Sequence, residues 1–291
     1  KEDGTFDEVG HDISCNLASL LVGGAIRNGN LSRTVAASVR ALTTVTLRAE
    51  FGAVPSVEAA NNAYHSIGLG HMGLHGFFME EGIAYDSEEA LDFADAYFSA
   101  VNFYSLKASN KIARERNEVF YEVDKSTYAT GEYFDQYRDE DFTPKTEKIL
   151  QLMEYYDIHI PSQGEWAELA EEVKEGGLFH SYRSANAPNG SISYVRDVTS
   201  SIHPITSLIE SRSEGRMGTV YYPAQGLTTD NKDNYKDAYQ IGWKPLIDLY
   251  ARAQRHIDQS QSLTLFFDKN ATNRDVLKAQ QYAFRSGIKS L

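Results

Sequence analysis

Cysteine is almost missing from this chain: Cys15 is the only one in 291 residues. That count excludes a disulfide-stapled secreted scaffold and suits a reducing cytoplasm. Long apolar runs are missing as well. The longest uncharged apolar stretch, Leu17 to Ile26, is far too short to span a bilayer. No signal peptide and no basic amphipathic leader is read, so a cytoplasmic location is expected, away from any membrane. Positive charge is scarce: 28 Lys and Arg face 41 Asp and Glu, a net charge of −13. A nucleic-acid backbone needs clustered cations, so a broad nucleic-acid face is excluded. A single phosphate group is not, because backbone N–H groups at a helix start hold one without formal charge. No internal repeat, low-complexity tract or long linker is found.

What remains is ordinary globular material. Hydrophobic content of 42% and charged content of 24% allow a chain of this length to bury a large core, as one or two domains. The chain starts at Lys1 and stops at Leu291 inside GIKSL, which reads as a strand. Both ends are expected to be cuts or limits of order.

Residues 12–20 read as a short strand. Helical spacing runs from Ser32 to Glu50. Pro55 opens a second helix, read through Ala63, Ile67 and Met72 towards Glu81. Asp86 to Glu89 cap a third, to about Asn117. Thr143-Pro144 opens a fourth to about Tyr156, and Pro161-Ser162 a fifth to Glu175. Further on, β-type segments are expected at Ser191 to Val195, Gly218 to Tyr222 and Ser262 to Phe267. A helix of about Leu246 to Gln259 precedes the last of these. Thr272 to Asp275 cap a final helix to Arg285, followed by a strand at Ile288 to Leu291. Strands separated by long helices imply parallel pairing, so the class is α/β with much helix.

Four features bear on chemistry. Cys15 sits in DISCNLASL and allows two readings: a small core residue, or one member of a redox pair whose partner lies in other polypeptide. Gly68, Gly70 and Gly73 spell G-x-G-x-x-G, but the residues before them read as helix, so the match is taken as a decoy for a dinucleotide site. His71 and His75, four apart on one expected helix face, lack the third ligand that a metal site needs, and no metal is assigned. In APNGSISY, Pro188 and Gly190 permit a tight turn whose successive N–H groups form an anion nest, or an ordinary Asn-Gly turn.

Six stretches then occur together and in order: DISCNLASL, NNAYHSIGLGHMGLHGFF, STYATGEYFD, APNGSISYV, HIDQSQSLTLFF and TNRDVLKAQQYAFRSGIKSL. Together they resemble the catalytic (large, alpha) subunit of class I ribonucleotide reductase, most of all the class Ib form. The resemblance covers essentially the whole chain, but only the C-terminal portion of the family protein. It implies half of a ten-stranded α/β barrel, helix-rich with parallel strands. Residues 1–291 would be the C-terminal part of the catalytic barrel, with residues 273–291 as a terminal helix and strand near the groove for the beta subunit. The apolar positions of that helix (Val276, Leu277, Tyr282, Phe284) are read as a mixture of groove and core.

The implied activity is reduction of ribonucleoside diphosphates. In the family a thiyl radical removes the 3′ hydrogen, the 2′ hydroxyl leaves as water, and a dithiol pair supplies two electrons. Cys15 matches one cysteine of that pair, and its disulfide partner would lie in the N-terminal half. Pro188, Asn189, Gly190, Ser191, Ile192 and Ser193 match the loop that holds the substrate phosphates, and Leu17 falls where the family lines the substrate pocket. No cofactor is implied in this chain. A dimetal-tyrosyl radical is expected in the beta subunit, and a thioredoxin- or glutaredoxin-like protein as reductant. Implied partners are the N-terminal half of alpha and the beta subunit. The radical cysteine, the specificity site and the stacked tyrosines would lie outside this sequence. Asn189 departs from the family's usual Thr, RSANA from its usual apolar and cysteine residues, and Leu21-Val22 from its usual Asn-Ile. A half-barrel that binds nucleotide phosphate or a partner without turning over is the alternative.

Overall fold

The computed structural model of the chain describes residues 9–213 and 218–291. Its order is β1 (Asn16–Leu21), α1 (Val22–Arg27), α2 (Leu31–Arg48), α3 (Pro55–Tyr64), β2 (Ile67–Met72), α4 (Leu74–Glu80) and α5 (Glu88–Arg116). Then come α6 (Thr127–Thr130), α7 (Asp135–Asp139), α8 (Glu147–Tyr155), α9 (Gln163–Gly176) and α10 (Gly190–Val195). The hairpin β3 (Ile209–Ser213) and β4 (Thr219–Pro223) leads to α11 (Ala238–Ile241), α12 (Trp243–Gln254) and α13 (Asn273–Arg285). The class is α/β, helix-rich, with a parallel sheet.

Strand β1 pairs with β2 in parallel, in a register from Asn16 opposite Ile67 to Leu21 opposite Met72. Residues 182–186 run along the other edge of β2: Ile67 N–H donates to Tyr182 O, Leu69 N–H to Arg183 O, and Ala185 N–H to Leu69 O. A parallel bridge from Asn186 to Gln261 extends the same order. Such pairing demands long crossovers, and helices supply them.

The 29-residue helix α5 is the centre of the packing. At 1.5 Å per residue it is about 43 Å long. Ser87 caps its start by accepting the Ala90 N–H, and Asn117 ends it in the left-handed region at φ +51°. Its first half sends Phe93, Tyr97, Phe98 and Val101 into the main core with α2, α12 and both parallel strands. Its second half sends Phe103 and Leu106 into a second cluster with Trp166, Leu169 and Phe134. One helix therefore belongs to both cores.

Several sequence expectations need correction. The second helix stops at Tyr64, and Ile67 to Met72 are a strand. His65 ends α3 in the left-handed region at φ +48°, and the two glycines of β2 then let residues 182–186 approach closely. A strand therefore does carry the first two glycines of G-x-G-x-x-G, contrary to the reason given for discounting it. Their use is close packing. His71 and His75 accordingly do not share a helix face: one is on β2, the other on α4. The β-type reading of Ser191 to Val195 also fails. Asn189 adopts φ +56°, and Ser193 N–H donates to Asn189 O, which starts α10. Residues 262–267 make no ladder. Ser262 N–H goes to Asn186 O and Thr264 N–H to His203 Nε2. Residues 288–291 likewise form no strand. Helix α12 starts earlier and ends earlier than expected, because Gln254 turns back to donate to Ile257 O and Gln259 O. The expected caps at Ser162 and Thr272 are present as capping boxes on α9 and α13. No helix among the described residues is long and apolar enough to cross a membrane.

Candidate active site

Successive side chains of a strand point to opposite faces, so positions 15, 17 and 19 lie on one face of β1 and its approach. Cys15 is half-buried and Leu17 is 56% exposed, unusual for a leucine on a packed strand. A Cβ at Gly68, across the sheet, would stand 2.4 Å from Leu17 Cδ2 and 3.5 Å from Cys15 Sγ. The bare glycine is what gives those two side chains room. Gly70 has a different neighbour: a Cβ there would meet Ala185 O at 2.3 Å.

Burial raises the Cys15 thiol pKa, and the negative charge of Asp258 raises it further. Asp258 is held in place. Its Oδ2 accepts the Arg183 N–H at 2.8 Å, and its Oδ1 accepts the Ser184 N–H at 2.9 Å. The Arg183 guanidinium, fully buried, approaches Asp258 Oδ2 at 3.1 Å. It also donates to Asn102, Ser105 and Tyr128. A buried charge needs this degree of pairing to be tolerated.

Ser19, at the far end of the same face, donates its hydroxyl to Asn189 Oδ1 at 3.0 Å. Asn189 Nδ2 donates in turn to His71 O at 2.8 Å. The turn at 188–193 is thereby fastened to both parallel strands. Asn tolerates the left-handed conformation that this turn requires, whereas a β-branched residue there is an outlier. Beyond Asn189 the loop opens outwards. Gly190, Ser191 and Ile192 are exposed, and a Cβ at Gly190 would meet nothing within 4 Å. As the first residues of α10 they present N–H groups that have no partner within the helix. Ser193 is buried, and its hydroxyl donates to Gly190 O. Pro188 O accepts from the Ser200 hydroxyl. Pro188, Gly190 and Ser193 line one side of a cavity of about 320 Å³, with His203 and Glu210 among its other lining residues.

The structure therefore brings Cys15, Leu17 and residues 188–193 to one face. Positions 15 and 19 are about 13 Å apart along the strand. Reading the sequence missed Ser19, Gly68 and Asp258 as parts of this arrangement. Ser19 carries a usable signal, the period of two from Cys15, once β1 is placed. The histidines take structural roles. Burial drives the pKa of His71 down to about 4 and that of His75 to about 3. His71 Nδ1 pairs with Asn186 Oδ1 at 2.9 Å, and His75 Nδ1 accepts the Ile205 N–H. On α13, Ala279 and Ala283 face the core, while Leu277 and Phe284 are exposed, Phe284 at 81%.

Comparison with known proteins gives the family. The family described as "Ribonucleotide reductase, barrel domain" matches residues 5–291. The chain is 46% identical over 285 residues to the ribonucleoside-diphosphate reductase subunit alpha of Bacillus subtilis (strain 168), covering 98% of this chain and 40% of that protein. It is equally similar to the NrdEB subunit alpha of the same organism, of which it covers 26%. The subunit alpha of Mycoplasma genitalium is 42% identical over 294 residues, 99% of this chain and 41% of that protein. The chain spans less than half the length of each of these relatives.

Proposed function

This chain belongs to the ribonucleotide reductase barrel-domain family, and on that premise we propose that it is part of the catalytic subunit of a ribonucleoside-diphosphate reductase. The observation that carries the reading is the single face of β1. It presents Cys15, then the exposed Leu17, then Ser19, and Ser19 is bonded to the loop at 188–193. A thiol at one end and unpaired N–H groups at the other suit a substrate with a reducible sugar at one end and phosphates at the other.

In this reading the N–H groups of Gly190, Ser191 and Ile192 receive phosphate oxygens, with Pro188, Asn189 and Ser193 shaping the turn. Leu17 packs against the nucleoside. Cys15 and a second thiol, from polypeptide outside this chain, give up two electrons and two protons. The 2′ C–O bond of the substrate breaks, the oxygen leaves as water, a C–H bond takes its place, and an S–S bond forms. A thioredoxin- or glutaredoxin-like protein restores the thiols. A radical-generating beta subunit supplies the initiating oxidation, and the exposed Leu277 and Phe284 of α13 offer it an apolar face. The β1–β2 ladder and its continuation through residues 182–186 and 261 would be one part of a ten-stranded barrel, completed by the N-terminal half of the subunit, in the cytoplasm.

Two substitutions in the full-length subunit, assayed with its beta subunit, test this. Cys15→Ser is expected to abolish repeated turnover driven by an external dithiol; unchanged turnover removes Cys15 from the redox role. Gly190→Val projects into open space, so the fold is kept and only the ligand is met. Diphosphate binding is expected to weaken, and unchanged affinity moves the phosphate site elsewhere. If the parent subunit itself shows no turnover while Gly190→Val weakens nucleotide binding, the chain is a binding half-barrel instead.

A further inference from the structure

The turn at 188–193 has one open side and one anchored side. On the open side are the exposed Gly190, Ser191 and Ile192. The anchored side is a polar chain that crosses the sheet. The Ser19 hydroxyl donates to Asn189 Oδ1 at 3.0 Å, and Asn189 Nδ2 donates to His71 O at 2.8 Å. His71 is itself immobilised. Asn186 uses its Nδ2 to donate to Gln261 Oε1 at 2.7 Å, so its Oδ1 is left to accept from His71 Nδ1 at 2.9 Å. Gln261 Nε2 donates to Tyr250 O at 2.9 Å. His71, Asn186 and Gln261 are all buried. Asn189 therefore sits between a buried polar interior and an exposed rim. The left-handed conformation at φ +56° leaves its amide both oxygen and nitrogen pointing to strands.

We propose that Ser19 is a positioning residue: acting through Asn189, it fixes the turn at 188–193 on β1 and β2 in the geometry that receives phosphate. The proposal rests on the reading of that turn as the phosphate loop. Ser19 does not reach the phosphates. Its hydroxyl orients the Asn189 amide, and the amide sets where the Gly190, Ser191 and Ile192 N–H groups point. Without it Asn189 Oδ1 loses its donor, and the side chain is free to leave the conformation that starts α10.

The test compares Ser19→Ala, Ser19→Thr, Asn189→Ala and the Ser19→Ala/Asn189→Ala double variant in the full-length subunit. Dissociation constants are read for a nucleoside diphosphate and for the same nucleoside without phosphate. Ser19→Ala is expected to weaken the diphosphate by about tenfold, the worth of roughly one net hydrogen bond. Nucleoside affinity and the unfolding midpoint stay unchanged. Ser19→Thr, which keeps the hydroxyl, restores most of the affinity. The double variant is no weaker than Asn189→Ala alone, because the two side chains act as one unit. Additive losses would overturn the proposal, as would equal weakening of nucleoside and diphosphate. Gly190→Val separates the two levels. If it weakens the diphosphate while Ser19→Ala does nothing, the phosphate loop stands and the role of Ser19 falls. If neither has an effect, the phosphate-loop reading falls and takes the proposal with it.

Discussion

Gly70→Ala should be among the most damaging single-methyl additions to this sheet. The new Cβ would stand 2.3 Å from Ala185 O, with Ala185 C and Asn186 Cα both at 3.4 Å. All three are backbone atoms of the adjacent extended segment, so no side-chain rotation relieves the clash. The two chains must part. Parting them strains or breaks the bonds from Leu69 N–H to Arg183 O at 2.8 Å and from Ala185 N–H to Leu69 O at 3.1 Å. Overpacking of a tight core costs about 1–3 kcal/mol, and each weakened bond adds up to about 1 kcal/mol. A loss of about 2–4 kcal/mol follows. Gly68→Ala is the matched control, one pleat away on the same strand. Its new Cβ meets Leu17 Cδ2 at 2.4 Å, the far end of a side chain that is 56% exposed. Leu17 can rotate away, at about 0.5–1.5 kcal/mol or less. Chemical denaturation of the two variants in the full-length subunit reads the difference directly. With m near 3 kcal/mol/M, the Gly70→Ala midpoint in urea falls by about 1 M. A Gly70→Ala variant within about 0.5 kcal/mol of the parent, or one matched by Gly68→Ala, would refute this account of the glycines.

Two further outcomes follow from titratable groups. Burial and then the Asp258 charge raise the Cys15 thiol pKa, so its alkylation by iodoacetamide should rise with pH around a midpoint above the ordinary thiol value of about 8.5. Mass mapping of the Cys15 peptide follows it, and a midpoint below that value contradicts the electrostatics. Burial also holds His71 and His203 down to about 4, and His75 and His180 down to about 3. Each lies below the unfolded value of about 6.5. The stability they contribute as neutral groups is whole above about pH 6.5 and is lost as pH falls towards 4 and 3, because the unfolded chain takes up protons that the folded chain refuses. Imidazole resonances should show all four rings neutral at pH 5.5, with stability falling by up to about 1.4 kcal/mol per pH unit for each. A protonated ring at pH 5.5, or stability that is flat from pH 7 to 5, would count against their burial.

Where the sequence was legible, local chemistry was decisive. Ser87, Ser162 and Thr272 each carry a hydroxyl that accepts an N–H of the first turn, and their helices begin where those residues predict. Strand β2 was not legible for a physical reason. All six of its residues are buried, so no alternation of polar and apolar marks it. The partners that make it a strand lie far off in sequence, β1 at 16–21 on one edge and residues 182–186 on the other. Helix α10 was hidden behind Ile192 and Val195, whose β-branched side chains suggest a strand, while the deciding event is the backbone turn at Asn189. The thiol and the loop could be picked out one at a time, as a lone cysteine and an Asn-Gly turn. Their connection through Ser19 and Asn189 spans 170 positions, a separation that no local pattern encodes.

The shared helix α5 has a dynamic consequence. Its N-terminal half lies in the larger hydrophobic cluster; its C-terminal half gives Phe103 and Leu106 to the smaller one and returns Ala108, Ile112 and Ala113 to the larger. A single run of backbone hydrogen bonds passes from one to the other. Local opening of either cluster strips packing from some positions of a helix whose other positions are still held, so the two clusters resist each other's loosening. Amides along α5 are thus placed to exchange only when the whole unit opens, on the slowest timescale the chain has. The described side chains of strands β3 and β4 alternate between exposed and half-buried and none enters either cluster, so their amides are expected to exchange sooner than those of α5. The molecule is therefore graded, from the slow spine of α5 to the strands β3 and β4, which meet α10 through Tyr194 and Glu210.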